Sequence, residues 1–159
     1  ITSYWKGYRE YHREGMIASL PRMLGFQAAG ASPIVKGHPV DDPRTIATAI
    51  RIGNPASWDG ARNAAGDSGG AIAAVRDKDI LDAYRLIARE EGLFCELASA
   101  ASVAGLLQLH AAGELPRSGV AVCILTGNGL KDPDWAIAGA PPPRQVGAHV
   151  DEVAEAIGF

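Results

Sequence analysis

Three short runs of uninterrupted apolar residues, set between stretches of helical spacing, constrain this chain more than any other feature. They lie in "RMLGFQAAG" from Arg22, "AIAAV" from Ala71 and "GVAVCILT" from Gly119. A strand wetted on one face alternates apolar and polar side chains, whereas one covered on both faces reads as a continuous apolar run. Between the second and third runs, "DKDILDAYRLIAREEG" places Ile80, Leu81, Tyr84, Ile87 and Ala88 on an inward helix face and stops at Gly92. "ASAASVAGLLQLHAAG" is a helix of small residues, the kind that packs closely on a sheet, ended by Gly113. Strands of this composition alternating with helices predict an α/β fold, a mostly parallel sheet flanked by helices.

The remaining segments fill in that frame. "TSYWKGYREYHREGM" predicts a first helix with Tyr4, Trp5, Tyr8, Tyr11 and His12 on one side, a stripe that calls for a neighbouring layer. "DDPRTIATAIRIG" reads as a helix with Pro43 in its first turn, where the missing N–H is harmless. A helix around Trp58 follows, and "LFCEL" is a short extended piece. "GAPPPRQVG" reads as a linker to a last short helix, "HVDEVAEAIGF". Residues 1–139 are therefore expected to form the α/β part, which could equally belong to a larger domain, and residues 140–159 a Pro-rich linker with a terminal helix.

Composition excludes several function classes. A net charge of -3 removes the electrostatic case for nucleic acid, which needs a concentrated basic face. No apolar run reaches the length of about 18 residues that marks a membrane span. Cys95 and Cys123 lie in apolar runs, where a buried free thiol is the expectation, and His12, His38, His110 and His149 are too scattered for a metal cluster. "GDSGG" at Gly66–Gly70 spells the surroundings of a trypsin-like nucleophilic serine, yet such a serine needs a base and an orienting carboxylate in the matching fold. Flanked by a helical pattern and the apolar run "AIAAV", Ser68 reads as part of a connecting loop.

In open α/β sheets, ligands bind beyond the carboxyl ends of the strands. The loops that qualify are "AAGASP", "ELASA" and "TGNGLKD". The last is the most informative: an apolar run delivers the hydroxyl of Thr126, then Gly127 and Gly129, which remove side chains where a ligand or another backbone must come close.

"ITSYWKGY", "LPRMLGFQAAGASPIV", "TIATAIRIGNPASW", "EEGLFCELASAAS" and "TGNGLKDP", in this order, resemble the C-terminal half of threonine synthase. That family has the tryptophan-synthase-β architecture, so the resemblance implies the C-terminal part of a type II pyridoxal-phosphate enzyme fold. It implies that Thr126 binds the cofactor through the pyridine nitrogen, with Gly127 and Gly129 letting the turn lie against the ring. Glu96 matches a glutamate of the family whose following proline is here Leu97, and Ile1 and Thr2 would border the cofactor phosphate. None of Lys6, Lys36, Lys78 and Lys131 stands in the family's Ser-Phe-Lys-Asp setting, so no catalytic residue is assigned here and the Schiff-base lysine is expected upstream. The implied activity of the complete protein is conversion of O-phospho-L-homoserine and water to L-threonine and phosphate, by a cytoplasmic homodimer, with this chain inactive alone. Two other readings are a serine or threonine dehydratase of the same architecture and a non-catalytic homologue that acts as a binding module.

Overall fold

A computed structural model describes residues 1–159. Along the chain, α1 (Thr2–Arg13) leads to β1 (Leu24–Ala28), α2 (Pro33–Lys36), α3 (Trp58–Asp67) and β2 (Ala71–Val75). Then come α4 (Asp77–Glu91), α5 (Leu97–Ala111), α6 (Asp134–Gly139) and α7 (Val150–Ile157). β1 and β2 pair in parallel, Leu24 opposite Ala71 and Ala28 opposite Val75. Successive side chains point to opposite faces of a strand. Phe26 and Ala28 accordingly join the main core, whereas a Cβ on Gly25 would meet Ile1 at 3.3 Å.

The main core joins Ala28 and Val75 of the sheet to Ile80, Ala83 and Ile87 of α4 and to Leu97, Ala100, Ala101 and Ala104 of α5. Each large aliphatic side chain buried there contributes about 1.5–3 kcal/mol. The inward face of α4 follows the expected pattern with one exchange: Ala83 is buried, while Ala88 is exposed. Gly92 ends α4 in the left-handed region at φ 65, and its N–H donates to the Ala88 carbonyl. α5 lies on both strands because its contact residues are small. At Gly105 the approach is closest, since a Cβ there would stand 2.1 Å from the Phe26 ring.

A second, smaller core holds Trp5 of α1, Met23 and Ala64 of α3, with Ile1 and Tyr8 packed on it. Only part of the aromatic stripe is covered: Trp5 is buried, while Tyr4, Tyr11 and His12 are exposed. Ser68 belongs to this junction. Its hydroxyl accepts from the Met23 N–H at 3.0 Å and donates to the Ala65 carbonyl at 3.1 Å, so it ties the end of α3 to the entry of β1. That is the connecting-loop role read from its flanks.

Two expected elements are absent. The helix read over "DDPRTIATAIRIG" is a loop with one 3-10 turn, Thr48–Ile50. Asp77, the first residue of α4, accepts from the Thr45 hydroxyl at 2.6 Å and the Ile46 N–H at 3.0 Å, and Arg44 N–H donates to the Gly30 carbonyl at 3.0 Å. Donors that a helix would direct to its own carbonyls are thus bound elsewhere. The strand expected at Gly119–Thr126 runs without a ladder partner, with Val120 93% and Val122 72% exposed, instead of being buried on both faces. An apolar run becomes a central strand only when strands lie on both sides of it, and the sheet here consists of β1 and β2.

Both cysteines are free. Burial pushes the Cys95 thiol up, with the Glu96 charge acting in the same direction against a backbone hydrogen bond. Burial also raises the Cys123 thiol, against a hydrogen bond from Ser102. A raised folded-state value favours the protonated thiol, so this contribution to stability is present below the ordinary thiol range and fades as pH rises through the folded value. Because the thiolate is the nucleophile, the native protein at neutral pH should alkylate about tenfold or more slowly than the same protein in denaturant. Equal rates would contradict the burial of Cys95 and the partial burial of Cys123. Gly105→Ala sets a helix-propensity gain of about 1 kcal/mol against an overpacking cost of about 1–3 kcal/mol at Phe26. The expected result is a lower denaturation midpoint; a rise would show that the Phe26 ring yields freely.

Candidate functional site

The site is built where the start of α5 meets the turn after Thr126. Phe94–Glu96 and Gly127–Gly129 run antiparallel for one bridge, Cys95 with Asn128. Two backbone bonds of 3.0 Å flank it: Glu96 N–H donates to the Gly127 carbonyl, and Gly129 N–H to the Phe94 carbonyl. The glycines are required at this crossing. A Cβ on Gly127 would run into the Glu96 carboxylate at 2.1 Å, and one on Gly129 into the Phe94 ring at 2.3 Å. Their missing side chains are therefore filled by the chain itself.

Glu96 precedes the first turn of α5 and is only 5% exposed. Its carboxylate makes no capping bond to the helix N–H groups. Lys131 reaches it instead, Nζ to Oε2 at 3.3 Å, from a side chain that is 61% exposed. A buried carboxylate needs such a counter-charge, and the helix N-terminus adds to its stabilisation. Leu97 is 2% exposed and sits in the main core, so burial anchors the place where the family carries proline.

Thr126 is exposed at the end of the unpaired extended segment. Its hydroxyl oxygen lies 3.5 Å from Ser99 Oγ. Ser99, in the first turn of α5 and 2% exposed, accepts from the Gly127 N–H at 2.9 Å. Further on, Asn128 accepts from the Leu130 N–H at 3.0 Å, and the Thr48 hydroxyl donates to Asp132 at 2.8 Å, which ties the 3-10 turn to this loop. Tyr84 packs on the same core, its hydroxyl pushed up by burial and by the neighbouring Cys95 and Asp132.

Sequence reading singled out Thr126, Gly127, Gly129 and Glu96, and the fold brings all of them together. Ile1 and Thr2 lie elsewhere, beside Gly25 and Gly60. Ser99 and Lys131 were not given their roles in advance. Ser99 is a hydroxyl in the first turn of an Ala- and Leu-rich helix, which is a faint signal; the Lys131 pairing had none, because it depends on the crossing itself. A groove of about 760 Å³ between α4 and α5 lies away from this turn, and two of its arginines, Arg76 and Arg89, are already paired with Asp79 and Glu90.

Comparison with known proteins places this geometry. A family model for pyridoxal-phosphate dependent enzymes matches residues 1–127. Threonine synthase of Mycobacterium leprae is 55% identical over 159 residues, covering 100% of this chain and 44% of that protein. The threonine synthase of Synechocystis sp. is 52% identical, covering 100% of this chain and 42% of its own length. The chain thus spans less than half the length of these relatives. Among solved structures, a variant of O-ureido-L-serine synthase bound to O-ureido-L-serine superposes with a TM-score of 0.63 at 19% identity, over 86% of this chain and 38% of that one. A fungal L-serine ammonia-lyase from Rhizomucor miehei gives a TM-score of 0.54 at 20% identity, over 73% and 39% of the two chains. With the family model matched over most of its length and the parallel α/β architecture shared with these structures, this chain belongs to the pyridoxal-phosphate dependent enzymes of fold type II.

Proposed function

We propose that this chain is the C-terminal part of a threonine synthase, and that the polypeptide containing it converts O-phospho-L-homoserine and water to L-threonine and phosphate. The observation that carries this reading is identity of 55% spread over the whole chain to threonine synthase of Mycobacterium leprae. Residues 1–139 are read as part of the cofactor domain and residues 140–159 as a tail, in keeping with the absence of any buried residue beyond 139. The complete protein is read as a cytoplasmic enzyme; no helix of this chain is long and apolar enough to cross a membrane. A homodimer is the proposed state of the complete protein.

The residues present fit the cofactor. Thr126 offers an exposed hydroxyl whose one hydrogen-bond contact within the chain is long, so it is free to serve an acceptor on a ligand. When bound, pyridoxal phosphate supplies an electron sink that lets protons leave carbons next to the substrate amine. Thr126 would donate to the pyridine nitrogen. A neutral hydroxyl does not keep that nitrogen protonated as a carboxylate would, so it moderates the sink. The crossing at Gly127 and Gly129 holds Thr126 in place, and Lys131, paired with Glu96, ties the far side of the turn to the start of α5.

In the complete polypeptide, O-phospho-L-homoserine should yield threonine and inorganic phosphate in equal amounts. Release of ammonia and an oxo acid from serine or threonine, with no phosphate from O-phospho-L-homoserine, would replace this reading with the dehydratase one. The 159-residue chain alone should be inactive under the same assay. Thr126→Asp places a carboxylate at the pyridine nitrogen. It should shift the absorption of the bound cofactor and lower turnover on the order of a hundredfold, the scale on which proton-transfer chemistry responds to a mistuned partner. An unchanged spectrum would remove Thr126 from the ring nitrogen.

A further inference from the structure

We infer that Ser99 is a positioning residue for the cofactor: its hydroxyl fixes the direction in which the Thr126 proton points. The inference rests on the assignment of Thr126 made above and adds a residue that the sequence did not mark.

A serine hydroxyl has one proton to give and two lone pairs to receive. At Ser99 one lone pair is taken by the Gly127 N–H at 2.9 Å. Two acceptors lie within reach of the proton, the Gly127 carbonyl at 3.4 Å and Thr126 Oγ1 at 3.5 Å. The carbonyl already accepts the Glu96 N–H at 3.0 Å, whereas the Thr126 oxygen accepts from no other group of the chain. Donation to Thr126 therefore satisfies the oxygen with the greater need. Once the Thr126 oxygen accepts from Ser99, its own proton is left for a partner outside the chain.

The resulting series runs one way, from Gly127 N–H to Ser99, from Ser99 to Thr126, and from Thr126 outward. Hydrogen bonds aligned head to tail polarise one another, so the terminal hydroxyl becomes a better donor than an isolated one. It also becomes a committed donor. A free threonine hydroxyl turns to give or to receive, and binding must then order it at an entropic cost. Held by Ser99, Thr126 favours a ring nitrogen that carries a lone pair over one that carries a proton.

The placement of Ser99 is not that of an ordinary helix cap. A capping serine accepts from an N–H in the next turn of its own helix. Ser99 turns away from α5 and binds backbone 28 residues further on, while the first-turn N–H groups of Ser99 and Ala100 go to the Glu96 carbonyl at 3.0 and 3.4 Å. The side chain that makes this contact is itself buried, 2% exposed.

The test uses the complete holoenzyme as Ser99→Ala, Thr126→Ala and the double variant. The readouts are the dissociation constant of pyridoxal phosphate and the resonance of a ¹⁵N-labelled ring nitrogen in the bound cofactor. Each single variant should weaken binding by about tenfold, the factor that one hydrogen bond of ordinary strength carries, and should move the resonance. In the double variant, loss of Ser99 should add less than about twofold to the effect of Thr126→Ala, because the serine acts through the threonine. Independent, multiplying effects, or an unmoved resonance in Ser99→Ala, would overturn the role of Ser99 while leaving that of Thr126 intact. An unaltered Thr126→Ala would overturn both assignments. If Ser99→Ala does not fold, Ser99→Thr restores the hydroxyl and should bind the cofactor like the parent, with Ser99→Cys, a weak donor, falling between; equal binding by the threonine and cysteine variants would overturn the role.

Discussion

The position of the exposed Thr126 hydroxyl depends on two backbone hydrogen bonds, Glu96 N–H to Gly127 and Gly129 N–H to Phe94. The extended segment before Thr126 has no strand beside it, so no ladder fixes its register. Its end is fixed from below instead. The crossing with Phe94–Glu96 sets the height of the turn, and Ser99 sets its rotation through the Gly127 N–H. A side chain at residue 127 or 129 would pry the crossing apart, since the space is occupied by a carboxylate and a phenyl ring. The glycines thus act on the ligand indirectly, by permitting a close backbone contact.

The crossing in turn rests on α5. The helix begins at Leu97, directly after Glu96, and its first turn is locked by the burial of Leu97, Ala100 and Ala101 in the main core. Small residues continue along the helix to Ala104 and Gly105, where the Phe26 ring fits against the helix. Any movement of α5 relative to the sheet is therefore transmitted to Glu96 and Ser99. The same core contains Cys95 and packs Leu125 on its edge, so one body of side chains holds both strands of the crossing.

Much of this was legible in the chain, and the limits have physical causes. Both ordered strands, the long helices α4 and α5 and the loop character of Ser68 followed from spacing, small-residue content and glycine stops. Thr126, Gly127, Gly129 and Glu96 stood out because hydroxyl, glycine and carboxylate gathered at the ends of apolar runs. The stretch around Thr45 misled because its pattern is helical, while the donors it would need are captured by Asp77 and Gly30, groups distant in sequence. Residues 119–126 misled for the opposite reason. Composition reports the surroundings a strand is suited to, and not which strands are beside it.

That difference sharpens the meaning of the exposed apolar run. Val120 and Val122 lie open, whereas Leu125 packs against the core and Gly127 and Gly129 are buried, so order increases toward the turn. The turn holds its shape through α5 without help from the run before it. A strand added beside residues 119–126 would cover the valines and satisfy free backbone groups, yet it would meet a turn whose glycine contacts are already made. The local geometry at Thr126 is thus encoded in Phe94–Ser99 and Gly127–Gly129, and pairing of the preceding strand would restrain that geometry rather than create it.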